Sequence, residues 1–405
     1  MPVVGGVSSG TEGLMESTPV LLSYNSSLAN YRLSENHPLR PERFSLAVAL
    51  MDAWGLLDPP QTRVASPSPA SDADLLLAHA SAYVSAVKAA SQSGAAQPDY
   101  GIGPGDTPAF RGMHEAAALG VGATCAAVDA VVAGTAVRAY SPAGGLHHAH
   151  RDHASGFCIY NDAVVAIERA IRTRPGLRVA YVDIDAHHGD GVEAAFYERG
   201  DVLTLSVHES GRYLFPGTGR ATDIGTGAGL GACIDVPLPP YAGDECYQLV
   251  LEQVIAPALR AYAPDLIVLQ AGADTHRTDP LTHLDLSVAG YVRLVAGIIS
   301  LADELTGGRI VVLGGGGYQP FSEVPRMWAS VMALLLGREV PTDLPPAWLA
   351  RCADEARAAE QPAPQALGTF EESGPPPSDA SAHDALAATL HAIAAVCSAS
   401  PLLEE

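Results

Sequence analysis

Short continuous apolar runs alternate along this chain with longer stretches in which small and apolar residues recur at helical spacing. The runs Val20–Ser23, Arg178–Val182, Val202–Val207, Leu266–Gln270 and Ile310–Leu313 predict strands. Helices are predicted over Glu42–Leu57, where Phe44, Leu46, Val48, Leu50 and Met51 form a buried set, and over Asp72–Ser91, Ala116–Ala133, Ala163–Ile171, Tyr247–Ala261 and Tyr291–Leu305. Pro59–Ser71 and Pro98–Pro108 read as loops. Apolar strands separated by helices argue for an α/β fold with a mainly parallel sheet covered on both faces. Such sheets bind ligands beyond the carboxyl ends of their strands. Here the polar residues gather at those ends, at Asp183, His208, Asp274 and Gly314–Gly317.

The pattern places one catalytic-size domain at residues 19–341, after a Gly- and Ser-rich start (1–18) that should be loose. From residue 342 to 405 the composition shifts to Pro, Ala, Ser and Glu. Gly368–Ser381 reads as a flexible linker. Asp384–Ser398 carries Leu386, Leu390, Ile393 and Cys397 at helical spacing and should pack on the body or on a partner.

Charge narrows the partners. The 405-residue chain carries a net charge of −22 with only 17% charged residues, so it should fold and should repel phosphate backbones. Nucleic acid is not an expected partner. Cationic, lysine-rich segments suit the surface, although acidity also serves solubility alone. Six scattered cysteines without a CxxC pair favour reduced thiols and a cytoplasmic setting. Met1–Ser17 lacks the basic and apolar regions of a secretory signal. The apolar runs look too short, or too interrupted by Gly and charge, to span a bilayer, so no membrane partner is expected.

Three clusters carry chemistry. In Tyr181–Gly191, Asp183, Asp185 and His187 alternate, so an extended segment points them to one side. A carboxylate and an imidazole two residues apart can share a metal, and Asp274 is the natural third ligand. Two carboxylates and one imidazole leave positions open, as catalytic sites do. Zn²⁺ fits that set, and Fe²⁺ also would. In Gly144–His150, the tandem His147 and His148 suit general acid–base work, with Asp183 and Asp190 available to orient them. His150 and His153 read as structural or exposed. In Gly314–Tyr318, four glycines allow close backbone approach and would let the Tyr318 phenol reach a carbonyl oxygen. Alone, that run would be a strand-end turn. It lacks the lysine and Ser/Thr of a phosphate loop.

Together these clusters resemble the histone deacetylase family, over most of Pro19–Gly337. The likeness also rests on His37–Arg43, Ala154–Cys158, Phe215–Gly219 and Gly272–Asp274. Asp274–Leu281 is similar to the bacterial acetoin-utilisation deacetylases. The resemblance implies a single domain with an eight-stranded parallel sheet, related to arginase. It implies metal ligands Asp185, His187 and Asp274, His148 as general base backed by Asp190, and His147 backed by Asp183 assisting the leaving amine. Tyr318 would polarise the acetyl carbonyl. Gly156, Phe157 and Phe215 would line a tunnel with Leu281 at its mouth, Asp106 would grip the substrate backbone, and Arg43 would lie near an acetate exit. A structural K⁺ would sit among Asp183, Asp185, His187, Ser206 and Val207. The implied substrate is an acetylated protein, with an acetyl-CoA synthetase as the expected partner. An acetylpolyamine hydrolase would use the same core; an arginase-like centre would need a second metal and more carboxylates. A non-catalytic acetyl-lysine reader should lack Tyr318 or a histidine, and all are present.

Overall fold

All five apolar runs become strands, and three further strands join them. A computed structural model describes residues 18–366, 368–372, 376 and 378–403, so the start before Thr18 lies outside the described residues. The strands are β1 (Val20–Ser23), β2 (Thr62–Ala65), β3 (Arg138–Ser141), β4 (Val179–Asp183), β5 (Val202–Glu209), β6 (Cys233–Leu238), β7 (Leu266–Gln270) and β8 (Ile310–Leu313). They form one eight-stranded sheet in the order β2-β1-β3-β8-β7-β4-β5-β6, and every pair is parallel. Parallel neighbours need crossovers, which here are mostly helices, and the inner strands are buried on both faces.

The three strands that periodicity misses have local reasons. β2 is an edge strand in the stretch expected to be loop, with Val64 exposed. β6 is the other edge and contains Pro237, which an edge strand tolerates. β3 is only four residues, Arg-Ala-Tyr-Ser, and gains its strand from pairing with β1 and β8.

The helices are α1 (Glu42–Ala53), α2 (Asp72–Leu75), α3 (Ser81–Ser93), α4 (Met113–Val132), α5 (Asp162–Thr173), α6 (Asp190–Phe196), α7 (Asp244–Val250), α8 (Ala256–Tyr262), α9 (Val288–Thr306), α10 (Glu323–Leu335), α11 (Pro346–Ala358) and α12 (Asp379–Ala399). One helix expected over Asp72–Ser91 is broken into α2 and α3. Ser71 and Asp74 form a capping box at the start. The break follows because His79 Nδ1 meets the His150 carbonyl at 2.9 Å and Ala80 N donates to the Arg151 carbonyl at 2.7 Å. α10 and α11 have no counterpart in the sequence expectation.

By length and composition, α4 and α12 could cross a membrane, contrary to the sequence reading; their many alanines keep the mean hydropathy high despite few large side chains. α4 is largely buried between α3, α5 and the sheet, whereas α12 lies on β6 and α7 with most of its surface outward.

The stretch expected to be a free linker is instead tied down where it is described. Arg326 on α10, 1% exposed, extends Nη1 to the carbonyls of Gly368, Thr369 and Glu371 at 3.0, 2.9 and 2.7 Å, and Nη2 to Glu323. The Glu372 carboxylate accepts from Val288 N at 2.9 Å and pairs with His276 at 2.8 Å. A buried cation that gathers three carbonyls leaves all of them unsatisfied when removed. Arg326→Met is therefore expected to lower the unfolding free energy by about 3–5 kcal/mol in urea titration. A loss under about 1 kcal/mol would show that residues 368–372 do not depend on it.

Candidate active site

The site stands at the carboxyl ends of the five consecutive strands β3, β8, β7, β4 and β5. After β3, the turn Gly144–His148 is fixed from below. The buried carboxylate of Asp162, at the start of α5, accepts from Gly145 N at 2.9 Å and Leu146 N at 2.7 Å. Asn161 Nδ2 donates to the carbonyls of His147 and Ala149, both at 3.1 Å. Tandem histidines on so constrained a turn have their ring directions set by the backbone.

Each ring has its own carboxylate. His147 Nδ1 lies 2.8 Å from Asp183 Oδ2, which also accepts from Tyr181 OH at 2.7 Å. His148 Nδ1 lies 2.7 Å from Asp190 Oδ1 at the start of α6. The two Nε2 atoms face each other at 3.0 Å. Burial pulls both rings toward the neutral form, but the charges of Asp183 and Asp185 overcome it at His147 and raise its pKa to about 9. At His148, burial and the neighbouring His147 charge outweigh Asp190 and lower the pKa to about 3. One imidazole is thus held protonated and its neighbour free to take a proton. His150, read from sequence as structural or exposed, meets Asp190 Oδ2 at 3.2 Å from the solvent side.

Beside this pair, β4 and β7 deliver three buried groups to one point. His187 Nδ1 is 3.2 Å from Asp185 Oδ1 and 3.0 Å from Asp274 Oδ2. Burial resists the imidazolium, yet these two carboxylates raise the His187 pKa to about 10, the mark of a pocket that attracts positive charge. The donor set is two carboxylates and one imidazole, which fits a divalent ion with coordination positions to spare. The carboxylates are oriented from behind. Asp185 Oδ2 accepts from Gln270 Nε2 at 2.7 Å and Gly316 N at 2.6 Å, and Asp274 Oδ1 accepts from Ala186 N at 2.8 Å. A Cβ on Gly316 would come within 2.0 Å of Asp274 Oδ2, so the glycine run is needed to let the backbone reach these carboxylates.

Tyr318 follows that run. Asp279 Oδ2 accepts from its backbone N at 2.8 Å, and its ring meets those of Phe157 and His187 edge to face at 5.8 and 6.4 Å. Burial and the nearby Asp274 and Asp185 charges push its phenol well above the ordinary value, so it remains a donor. Arg43, buried on α1, donates to the Gly315 carbonyl at 2.6 Å.

Two further aromatic rings, Phe157 and Phe215, stand close to these groups. Phe215 meets the His148 ring at 5.0 Å, and Phe157 takes a positive φ of 71°. Gly156 permits this approach, since a Cβ there would lie 2.4 Å from His148 and 2.9 Å from Phe215. His37 meets Phe157 edge to face at 4.5 Å, and its Nε2 meets the Asp106 carbonyl at 3.1 Å, which places exposed Asp106 beside this pair. Leu281 shares a turn with Asp279, to whose Oδ1 its N donates at 2.9 Å. Ser206 stands opposite Asp183 in the sheet register, with Val207 next along β5. Two supporting residues escape the sequence reading. Gln270 shows only as a polar end to an apolar strand, and Asp279 only as one acid in an acid-rich turn.

The Histone deacetylase domain matches residues 37–335. The chain belongs to the histone deacetylase family. It is 40% identical to the acetoin utilization protein AcuC of Bacillus subtilis over 331 residues, covering 81% of this chain and 85% of that protein. AcuC of Staphylococcus xylosus is 37% identical, with coverages of 81% and 86%. Among solved structures, an HDAC homolog complexed with SAHA superposes with a TM-score of 0.78 at 30% identity, covering 92% of this chain and 99% of that one. The HDAC homolog from Aquifex aeolicus gives 0.77 at 29%, with the same coverages. The single eight-stranded parallel sheet is the fold that the family resemblance implied. The deacetylase family also accounts for a metal-ready pocket beside a histidine pair.

Because Gln270 holds the Asp185 carboxylate of the candidate metal set in place, Gln270→Ala is expected to weaken Zn²⁺ binding by about 10–100-fold. Competition with a chromogenic chelator measures this, and unchanged affinity would remove Gln270 from the metal-orienting set.

Proposed function

We propose that this chain is a zinc-dependent lysine deacetylase that hydrolyses the Nε-acetyl-lysine amide in proteins and releases acetate. The observation that carries the reading is the pair of facing imidazoles, 3.0 Å apart and oppositely poised, beside the Asp185, His187 and Asp274 set. A divalent ion held by those three residues would supply a Lewis acid that acidifies water and polarises the acetyl carbonyl. Zn²⁺ is the first candidate, and Fe²⁺ suits the same donors.

The chain's own groups then divide the work. His148, oriented by Asp190, takes the proton from the attacking water. His147, held cationic by Asp183, delivers a proton to the departing lysine amine. The Tyr318 phenol donates to the acetyl oxygen as negative charge develops there. Phe157 and Phe215 flank the lysine methylenes, Gly156 leaves room for the acetyl end, and Asp106 takes the substrate backbone at the rim. Leu281 gives the rim an apolar rather than acidic residue, which favours acetyl-lysine over an acetylated polyamine. Arg43 would face the departing acetate. A K⁺ among the oxygens of Asp183, Asp185, His187, Ser206 and Val207 would tie β4 to β5. By likeness to the acetoin-utilisation group, an acetylated acetyl-CoA synthetase is the first protein substrate to try.

Acetate release from an acetyl-lysine peptide tests the reading. Zn²⁺-loaded protein should turn over, and Tyr318→Phe should lower kcat by about 10²–10³-fold. Metal-loaded protein that leaves the peptide intact but cleaves acetylated polyamines would replace the proposed substrate. The pH profile is a separate check. His147 acts as the acid only while protonated, so kcat/KM should fall as pH rises through its pKa of about 9. A plateau that continues above that range would exclude His147 from the proton delivery.

A further inference from the structure

Immediately after His187, the next ring turns the other way into a second buried cluster. His188 Nε2 lies 3.0 Å from Glu193 Oε2 on α6 and 3.2 Å from Asp235 Oδ1 on β6. Cys233, two residues before Asp235 and on the same face of β6, places its Sγ 3.3 Å from Glu193 Oε2 and 3.9 Å from Asp235 Oδ2. His188, Cys233 and Asp235 are 1–2% exposed. Neither carboxylate is paired with a lysine or arginine among the described residues. Nothing in the deacetylase chemistry above uses these four groups.

We infer that His188, Glu193, Asp235 and Cys233 form a second, structural metal site for a zinc-like divalent cation. Four arguments meet there. The donors are one nitrogen, two carboxylates and one sulfur, a set that Zn²⁺ takes readily. The donor atoms of His188, Glu193 and Asp235 lie within 4.8 Å of one another, with His188 at 3.0 and 3.2 Å from the two carboxylates, near the edges of about 3.3 Å that bonds of about 2.0 Å give in a tetrahedron; the Cys233 thiol, 3.3 Å from Glu193, borders that triad as the candidate fourth donor. The same spacing, 3.0 and 3.2 Å, separates His187 from its two carboxylates in the catalytic pocket. The second ring nitrogen of His188 meets Thr218 Oγ1 at 2.8 Å, the outer partner that a ligating histidine normally has. Finally, Thr204 stands opposite Cys233 in the register, 5% exposed, and its hydroxyl lies against the Cys233 thiol without making a hydrogen bond of regular geometry. An ion in the cluster would give that hydroxyl an oriented thiolate to donate to. The Glu193 side chain, 17% exposed, leaves a way in. Such an ion would join β6, α6 and the Thr218 turn directly behind the catalytic ligand His187. The competing occupant is a proton shared between the two carboxylates beside an imidazolium.

Metal counting on the full chain separates the two, and it does so whether or not the protein proves to be a lysine deacetylase. Zn²⁺-loaded protein freed of excess ion should carry two zinc ions per chain, and Asp235→Asn and Cys233→Ser should each carry one. The catalytic set Asp185, His187 and Asp274 contains no sulfur. A thiolate-to-cobalt charge-transfer band in Co²⁺-loaded wild type, lost in Cys233→Ser, would therefore report this site alone and distinguish it from a binuclear catalytic centre. One ion per chain with no such band in the wild type would overturn the inference and assign the pocket to the shared proton. Two ions that persist in both variants, without the band, would overturn it as well by placing the second ion elsewhere. Should a variant not fold, the wild-type count and cobalt spectrum decide by themselves.

Discussion

The structure depends on holding negative charge out of water at the end of a parallel sheet. Asp183, Asp185 and Asp274 are each 0–1% exposed and lie within one cluster. Isolated carboxylates so buried would be strongly disfavoured. Here each is surrounded by donors: tyrosine and histidine at Asp183, an amide side chain and a glycine N–H at Asp185, an alanine N–H at Asp274. Most of these donors come from backbone or side chains at the carboxyl ends of β4, β7 and β8. The sheet order that brings those strands together is therefore also what makes the charges tolerable.

The two dyads show how the same residue types acquire different roles. Both histidines are buried and both have an aspartate. His147 faces a second carboxylate, Asp185, at 3.9 Å, whereas His148 faces the charge of His147 and shares Asp190 with His150. The asymmetry of charge around the pair, rather than the pair itself, gives the two rings opposite tendencies to hold a proton. A tandem His-His in sequence cannot carry that distinction, because Asp183 and Asp190 lie 36 and 42 residues from their rings.

What could be read from the residues follows from range. The alternation Asp183, Asp185, His187 is local, so its common orientation was legible, as were β7 and β8, whose apolar runs match the folded strands residue for residue. The edges β2 and β6 were not, because an edge strand need not be apolar on both faces and its pairing partner is distant. Gln270 and Asp279 were missed for a related reason. Each acts on a group from another strand or loop, Asp185 and the Tyr318 backbone, and neither residue type signals that by itself. The described part of the Gly368–Ser381 segment looked like a linker because its composition is that of one. It is ordered by Arg326 and His276, which come from the core.

The tail thereby belongs to the site as much as to the surface. His276 lies two residues beyond Asp274 of the candidate metal set, and its backbone carbonyl accepts from Asp279 N at 2.9 Å. Asp279 in turn holds the Tyr318 backbone. Glu372 anchors this turn from outside and at the same time caps the start of α9 through Val288 N. A loop that fixes Asp274 at one end and the Tyr318 backbone at the other cannot be left to its own conformational freedom if both groups are to hold their positions. The residues after the matched domain supply that restraint, which is why a segment without any catalytic group of its own is folded back against the catalytic end of the sheet.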